Sequence, residues 1–184
     1  MILKPLWYQT DCQRAIERAR KQGKDRALVT KASGLGKTHV AAWDTQRFRE
    51  ENGGGRVLFL CHQQYILEQA HTTFMAVHGN VPSFGFYHGM EQSPDAEFLF
   101  ATLQTMRKKK TRFRPDAFDY VVVDESHHTY ADTYLDVVQY WRPKFLLGLT
   151  ATPDRTDEQD IRRVFGTEVF YLPIDEALAQ ALLT

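Results

Sequence analysis

Short unbroken apolar runs recur along the chain, separated by longer segments with apolar residues at helical spacing. The runs are Arg26–Thr30 (RALVT), Arg56–Cys61 (RVLFLC), Glu97–Ala101 (EFLFA), Asp119–Asp124 (DYVVVD) and Lys144–Leu149 (KFLLGL). They are continuous rather than alternating, as expected of strands in a parallel sheet covered on both faces. Ser83–Tyr87 predicts one more strand, at an edge. Between the runs the pattern predicts a helix over Lys37–Glu51, stopped by Asn52-Gly53-Gly54-Gly55, and another over Gln64–Val77, where Ile66, Leu67, Ala70 and Phe74 share a face. Asp132–Tyr140, Glu158–Phe165 and Ile174–Leu183 are also helical by pattern. Strand–helix alternation predicts an α/β fold: a mostly parallel, doubly wound central sheet with helices on both faces.

Bulk properties narrow the class. A chain of 184 residues is enough for one domain and marginal for two, so residues 1–184 are expected to form a single domain. Formal net charge is zero, which gives no overall basic footprint for nucleic acid but leaves local patches open. The amino terminus has no apolar run of signal-peptide length. No stretch approaches the roughly 20 apolar residues that span a bilayer. Cys12 and Cys61 form neither a disulfide framework nor a metal-ligand spacing. These features point to a cytoplasmic protein with no membrane partner.

Residues 31–38 read KASGLGKT, directly after a predicted strand and before a predicted helix. The phosphate-loop pattern G-x-x-x-x-G-K-[ST] is matched at Gly36, Lys37 and Thr38, with Gly34 as an inner glycine. In such a loop Ser33, Gly34, Leu35 and Gly36 turn their backbone N–H groups towards phosphates, and the following helix start adds to that field. Lys37 reaches the β- and γ-phosphates of ATP, and the Thr38 hydroxyl binds Mg²⁺. The first glycine is replaced by Lys31, which either adds charge near the phosphates or points to solvent. A glycine turn that happens to start a helix is the bland alternative. The run DYVVVDE ends in two adjacent carboxylates, suited to a second part of the same site: Asp124 holding Mg²⁺ and Glu125 polarising the attacking water.

With these two pieces further motifs fall into order. DESHH at 124–128 resembles motif II of the superfamily 2 helicases, the DEAD/DEAH class, and LTATPDRTD at 149–157 resembles their motif III. VLFLCHQQYILEQA at 57–70 looks like motif Ia, FATLQTM at 100–106 like motif Ib or Ic, and PLWYQ at 5–9 like the adenine-reading glutamine element. In these motifs the chain is similar to the bacterial branch related to type III restriction subunits and to the eukaryotic repair helicase XPB. The resemblance implies a RecA-like P-loop domain, the first motor domain of a DNA helicase or translocase, which needs a second RecA-like domain with arginine fingers for full turnover. As it stands the chain is expected to hydrolyse ATP weakly. The resemblance also implies that Gln9 reads adenine, with Trp7 or Tyr8 stacking or packing. Thr150 and Thr152 would couple the nucleotide site to the nucleic-acid surface, with His127 as their partner. His127 and His128 have no further ligand at zinc spacing.

Open α/β sheets bind ligands at the carboxyl ends of their strands. That places His62 and Gln63 after one strand, and Thr102 and Thr105 after another, near one surface where they could hold phosphates without reading sequence. Helix capping by Thr102 is the competing reading. The basic run RKKKTRFR at 107–114, with Phe113 interleaved, has the composition of a nucleic-acid handle. It leads into the amino end of the Asp119 strand, opposite the ATP site, which favours a solvated loop or a partner contact. DNA is favoured over RNA by the restriction-related motifs alone. A motor feeding a restriction or phage-defence complex, and a nucleotide-gated clamp without turnover, are the alternative functions.

Overall fold

The computed structural model describes residues 5–79, 82–89, 91–124, 132–151, 158–180 and 182. In chain order the elements are α1 (Trp7–Lys21), β1 (Arg26–Lys31), α2 (Lys37–Asn52), β2 (Val57–Cys61), α3 (Gln64–His78), β3 (Phe84–His88), β4 (Glu91–Gln92), β5 (Phe98–Thr102), α4 (Leu103–Lys109), β6 (Tyr120–Val123), α5 (Asp132–Tyr140), β7 (Phe145–Thr150), α6 (Glu158–Phe165), β8 (Glu168–Leu172) and α7 (Ile174–Ala179). A 3₁₀ turn, Lys110–Arg112, extends α4.

The strands form one eight-stranded sheet in the order β4-β3-β5-β2-β6-β7-β1-β8. All neighbours are parallel except the short β4, which pairs antiparallel with β3. Because side chains alternate along a strand, the continuous apolar runs fill two cores at once. Ala27, Val29, Phe59, Phe100, Val122 and Leu147 face the layer that includes Cys12 and Ile16 of α1, Val40 and Phe48 of α2, and Phe74 of α3. Leu28, Leu58, Leu60, Leu99, Val121 and Val123 face the other layer, with Met106 of α4, Val137 of α5 and Phe165 of α6. Each such side chain, fully buried, contributes roughly 1.5–3 kcal/mol. Gly148 in β7 lies under the Phe165 ring, and an added Cβ would come within 2.7 Å of it.

The predicted central strands are all present, and α2 ends at Gly53 in the left-handed conformation. Two edge strands, β4 and β8, were not predicted, and α7 stops at Ala179. The basic run corrects its prediction. Residues 107–112 are the last turn of α4 and the 3₁₀ turn rather than a loop, still largely exposed to solvent, and Phe113 is a core residue packed on Tyr87, Phe118 and Trp141. Lys110 is held by Asp136 of α5 at 2.5 Å, and Arg114 pairs with Asp116 at 2.9 Å. Among the described residues no helix is long and apolar enough to cross a membrane.

Candidate nucleotide and nucleic-acid site

β1 delivers the chain into the loop 32–36, and α2 begins at Lys37. The loop turns at Gly34 (φ 83°) and at Gly36 (φ 75°), a conformation that L side chains rarely adopt. Gly36 has a second constraint, since a Cβ there would lie 2.6 Å from Gln9 Nε2. Leu35 is buried with Tyr8, Ala32, Leu172 and Ala177, a small apolar cluster that anchors the loop to α1, β8 and α7. Ser33 and Gly34 stand exposed, and Thr38 is half-buried in the first turn of α2. The N–H groups of that first turn have no acceptor within the helix, so they face whatever occupies the loop. The buried Lys37 ammonium donates to the Lys31 carbonyl at 3.2 Å.

Gln9 is buried rather than on the surface. Its Oε1 accepts from the Leu6 N–H at 2.9 Å, and its Nε2 donates to the Leu35 carbonyl at 3.3 Å, tying the start of α1 to the loop. A carboxamide has two donors and two lone-pair directions, so one of each remains for a ligand. Trp7 is exposed whereas Tyr8 is buried, so of the two only Trp7 is available to stack on a base.

Lys31 neither points to solvent nor lines the loop. It is fully buried, its ammonium makes no hydrogen bond, and it sits 4.9 Å from the centre of the Tyr8 ring. Burial is the main force lowering its pKa, to about 8, with a further push from the Lys37 charge. Burial also raises the Cys12 thiol to about 12 and lowers His39, which in addition feels the Lys31 charge.

β7 lies between β1 and β6, so the carboxyl ends of all three strands share one edge of the sheet. Thr150 closes β7 opposite Thr30 of β1 and is fully buried. Asp124 follows β6 and is buried, with its N–H donating to Leu60 at 2.8 Å. At about 4.8 Å between neighbouring strands, Asp124 is two strands, or about 10 Å, from the strand that feeds the loop. Glu125, His127, His128 and Thr152 lie outside the described residues. Among the described residues no group of three His, Cys, Asp or Glu could hold a metal ion. The half-buried Thr38 hydroxyl and the buried Asp124 carboxylate are oxygen donors of the kind Mg²⁺ takes.

The β2–β5 register sets Cys61 beside Thr102, so the segments after these strands are neighbours. Gln63 is exposed at the start of α3, and His62 is half-buried. Thr102 follows the capping alternative. Its Oγ1 accepts from the Thr105 N–H at 3.2 Å and donates to the Thr105 hydroxyl at 2.9 Å, which caps α4. Of the four nucleic-acid candidates, Gln63 is therefore the exposed one, and the two threonine hydroxyls serve each other. Sequence reasoning missed two residues here. Gln104 reaches His62 Nδ1 at 3.1 Å and joins the two segments, and Tyr65 stands exposed two residues after Gln63. Tyr65 opens the apolar run YIL at 65–67, so the sequence carried no signal for its exposure.

A family model described as "Type III restriction enzyme, res subunit" matches residues 2–155. Over 97% of the chain, 26% of residues are identical to the Type I restriction enzyme EcoAI endonuclease subunit of Escherichia coli, of which the chain covers 23%. A solved fragment described as an HsdR subunit of a type I restriction enzyme from Vibrio vulnificus YJ016 is 29% identical with a TM-score of 0.72, covering 95% of this chain and 31% of that one. The Sulfolobus solfataricus SWI2/SNF2 ATPase core, solved in complex with dsDNA, shares the fold with a TM-score of 0.75 at 19% identity, covering 90% of this chain and 37% of that one. The chain thus spans well under half the length of each of these relatives.

Proposed function

The chain belongs to the family of the type III restriction enzyme res subunit, and from that membership we propose that it is the ATP-binding motor domain of a DNA helicase or translocase. One juxtaposition carries the reading. The buried Lys37 ammonium rests on a backbone carbonyl at the mouth of a glycine loop, and the buried Asp124 carboxylate ends a strand on the same edge of the sheet. A triphosphate on the loop would offer Lys37 stronger acceptors than the Lys31 carbonyl. The ammonium would then donate to the phosphates.

In this reading the loop 33–38 orients the phosphates, Thr38 and Asp124 hold Mg²⁺, and Glu125 accepts the proton of the attacking water. Mg²⁺ when bound supplies the charge that neutralises the β- and γ-phosphates. Gln9 and Trp7 would take the base. A second RecA-like domain of the full-length protein is assigned the arginines that stabilise charge at the transferring phosphate, so this domain by itself should turn ATP over slowly. Restriction-enzyme relatives and a dsDNA-bound structure of the same fold support DNA over RNA as the track.

The test is binding of a fluorescent ATP analogue with Mg²⁺, followed by hydrolysis with and without single- and double-stranded DNA or RNA. Lys37→Ala should lose binding, and Glu125→Gln should bind at the parent affinity while losing turnover. Parent-like behaviour of both variants would overturn the site assignment, and stimulation by RNA alone would overturn the choice of DNA.

A further inference from the structure

The loop and its partners leave one group unused. Lys31 stands where the phosphate-loop pattern has a glycine, and its side chain points away from the loop into the core beneath it. Strand alternation puts it on the face of Ala27 and Val29, both apolar and fully buried. An apolar residue would fill this position at no electrostatic cost. A long lysine side chain usually carries its ammonium out to water. Here the side chain is fully enclosed, and among the described residues the ammonium has neither a hydrogen bond nor an ion pair.

The Tyr8 ring face offers the ammonium a cation–π contact, but among the described residues no titratable group around it supplies an opposite charge. From α1 it meets the Tyr8 ring and the Cys12 thiol, and from α2 the Lys37 ammonium and the His39 ring. Leu172, its partner on β8, carries no charge. The nearby buried carboxylate, Asp44, is already taken by Arg20 and the Tyr120 hydroxyl. Among the described residues a buried cation in this position lacks a counter-ion, and the loop that Lys31 introduces begins at the next residue.

We infer that the Lys31 ammonium is a positioning group for the phosphate chain, a fixed positive charge beneath the loop that sets polyphosphate affinity through space without touching the ligand. This rests on the reading of residues 33–38 as a phosphate loop. The interaction grows with the charge of the ligand and leaves the nucleoside alone. Bound polyphosphate also favours the protonated amine, so binding draws a proton onto Lys31 at a pH where the free protein holds it mostly neutral. In the free protein that pH lies above about 8. Cys12, at about 12, stays neutral there; Tyr8 is raised and His39 lowered, away from the same range.

The experiment compares the dissociation constants of ATP, ADP and adenosine for the unsubstituted chain and for Lys31→Met. Expected is no change for adenosine, a loss of about threefold for ADP and of about tenfold for ATP. A second measurement needs no variant. Calorimetry of ATP binding at about pH 8.5, in two buffers of different ionisation enthalpy, should show net proton uptake by the unsubstituted chain and none by Lys31→Met. Equal losses for all three ligands, no loss for any, or no proton uptake would overturn the inference while leaving the nucleotide site standing. A complete absence of nucleotide binding by the unsubstituted chain would overturn both readings together.

Discussion

Replacing Lys31 by Met should make the ligand-free protein more stable. The lysine is fully enclosed, and its pKa is about 8 against an ordinary value of 10.5. At about 1.4 kcal/mol per pH unit, that gap corresponds to about 3 kcal/mol of folding stability lost while the amine is protonated. Methionine has nearly the same length and no charge, so the substitution removes the penalty with little change in packing. For a chain of 184 residues the gain corresponds to a rise in Tm of about 6–12 °C. The pH dependence distinguishes charge from packing. Between about 8 and 10.5 the unfolded chain binds more protons at this lysine than the folded one, so the stability of the unsubstituted protein rises with pH across that window. The advantage of Lys31→Met should therefore be full at about pH 7 and shrink steadily by about pH 10. Urea unfolding of both proteins at the two pH values measures it. A variant less stable than the parent at neutral pH, or an advantage that does not change with pH, would refute the reasoning.

Three other perturbations follow from the packing. Asp44→Ala strands the largely buried Arg20 guanidinium and the Tyr120 hydroxyl that donates to Asp44 at 2.5 Å, so urea unfolding should register a loss of about 3–5 kcal/mol. Phe113→Ala should cost about 3–5 kcal/mol, because the ring fills the space between Tyr87, Phe118 and Trp141, while the salt dependence of DNA binding stays that of the parent. A weaker DNA complex from a variant of unchanged stability would instead place Phe113 on the nucleic-acid surface. Gly36→Ala combines a left-handed backbone, costing about 1–2 kcal/mol, with a 2.6 Å approach to Gln9 Nε2. Nucleotide binding should be lost, and adding Gln9→Ala should recover part of the stability, as read from thermal melts; full additivity of the two changes would separate Gln9 from the loop.

The interior of the sheet was legible because its strands are covered on both faces, so the apolar runs could be read without knowing which face was which. The edges were not. β8 has only β1 as a partner, the register shifts between Leu28 and Val29, and most of its residues are half-buried or exposed. Its Glu168–Leu172 stretch does carry a continuous apolar run, VFYL at 169–172, so its strand character stood in the sequence and only its place at the edge did not. β4 is two residues long, below what any pattern resolves. Phe113 was misread because composition dominates a window of mostly basic residues, whereas its fate is set by tertiary neighbours distant in the chain. The turn between β1 and α2 was legible because Gly34 and Gly36 supply the left-handed backbone it requires. Thr102 had two uses with the same local pattern, and only the geometry at Thr105 separated them.

Lys31 lies between these cases. Its face followed from the alternation of Ala27, Val29 and Lys31, but its enclosure depends on Tyr8 and Cys12 of α1, which arrive from the other side of a loop. The outcome joins stability to the proposed function. The same edge of the sheet has positive charge under β1, at Lys31 and Lys37, and a carboxylate beyond β6, at Asp124, with β7 between them. A magnesium polyphosphate has the complementary order, with anionic phosphate towards the loop and the cation towards the carboxylate. Part of the stability given up by burying Lys31 in the free protein would then be recovered when phosphate arrives. Ligand binding should raise the melting temperature of the unsubstituted chain by more than that of Lys31→Met, although the variant begins higher.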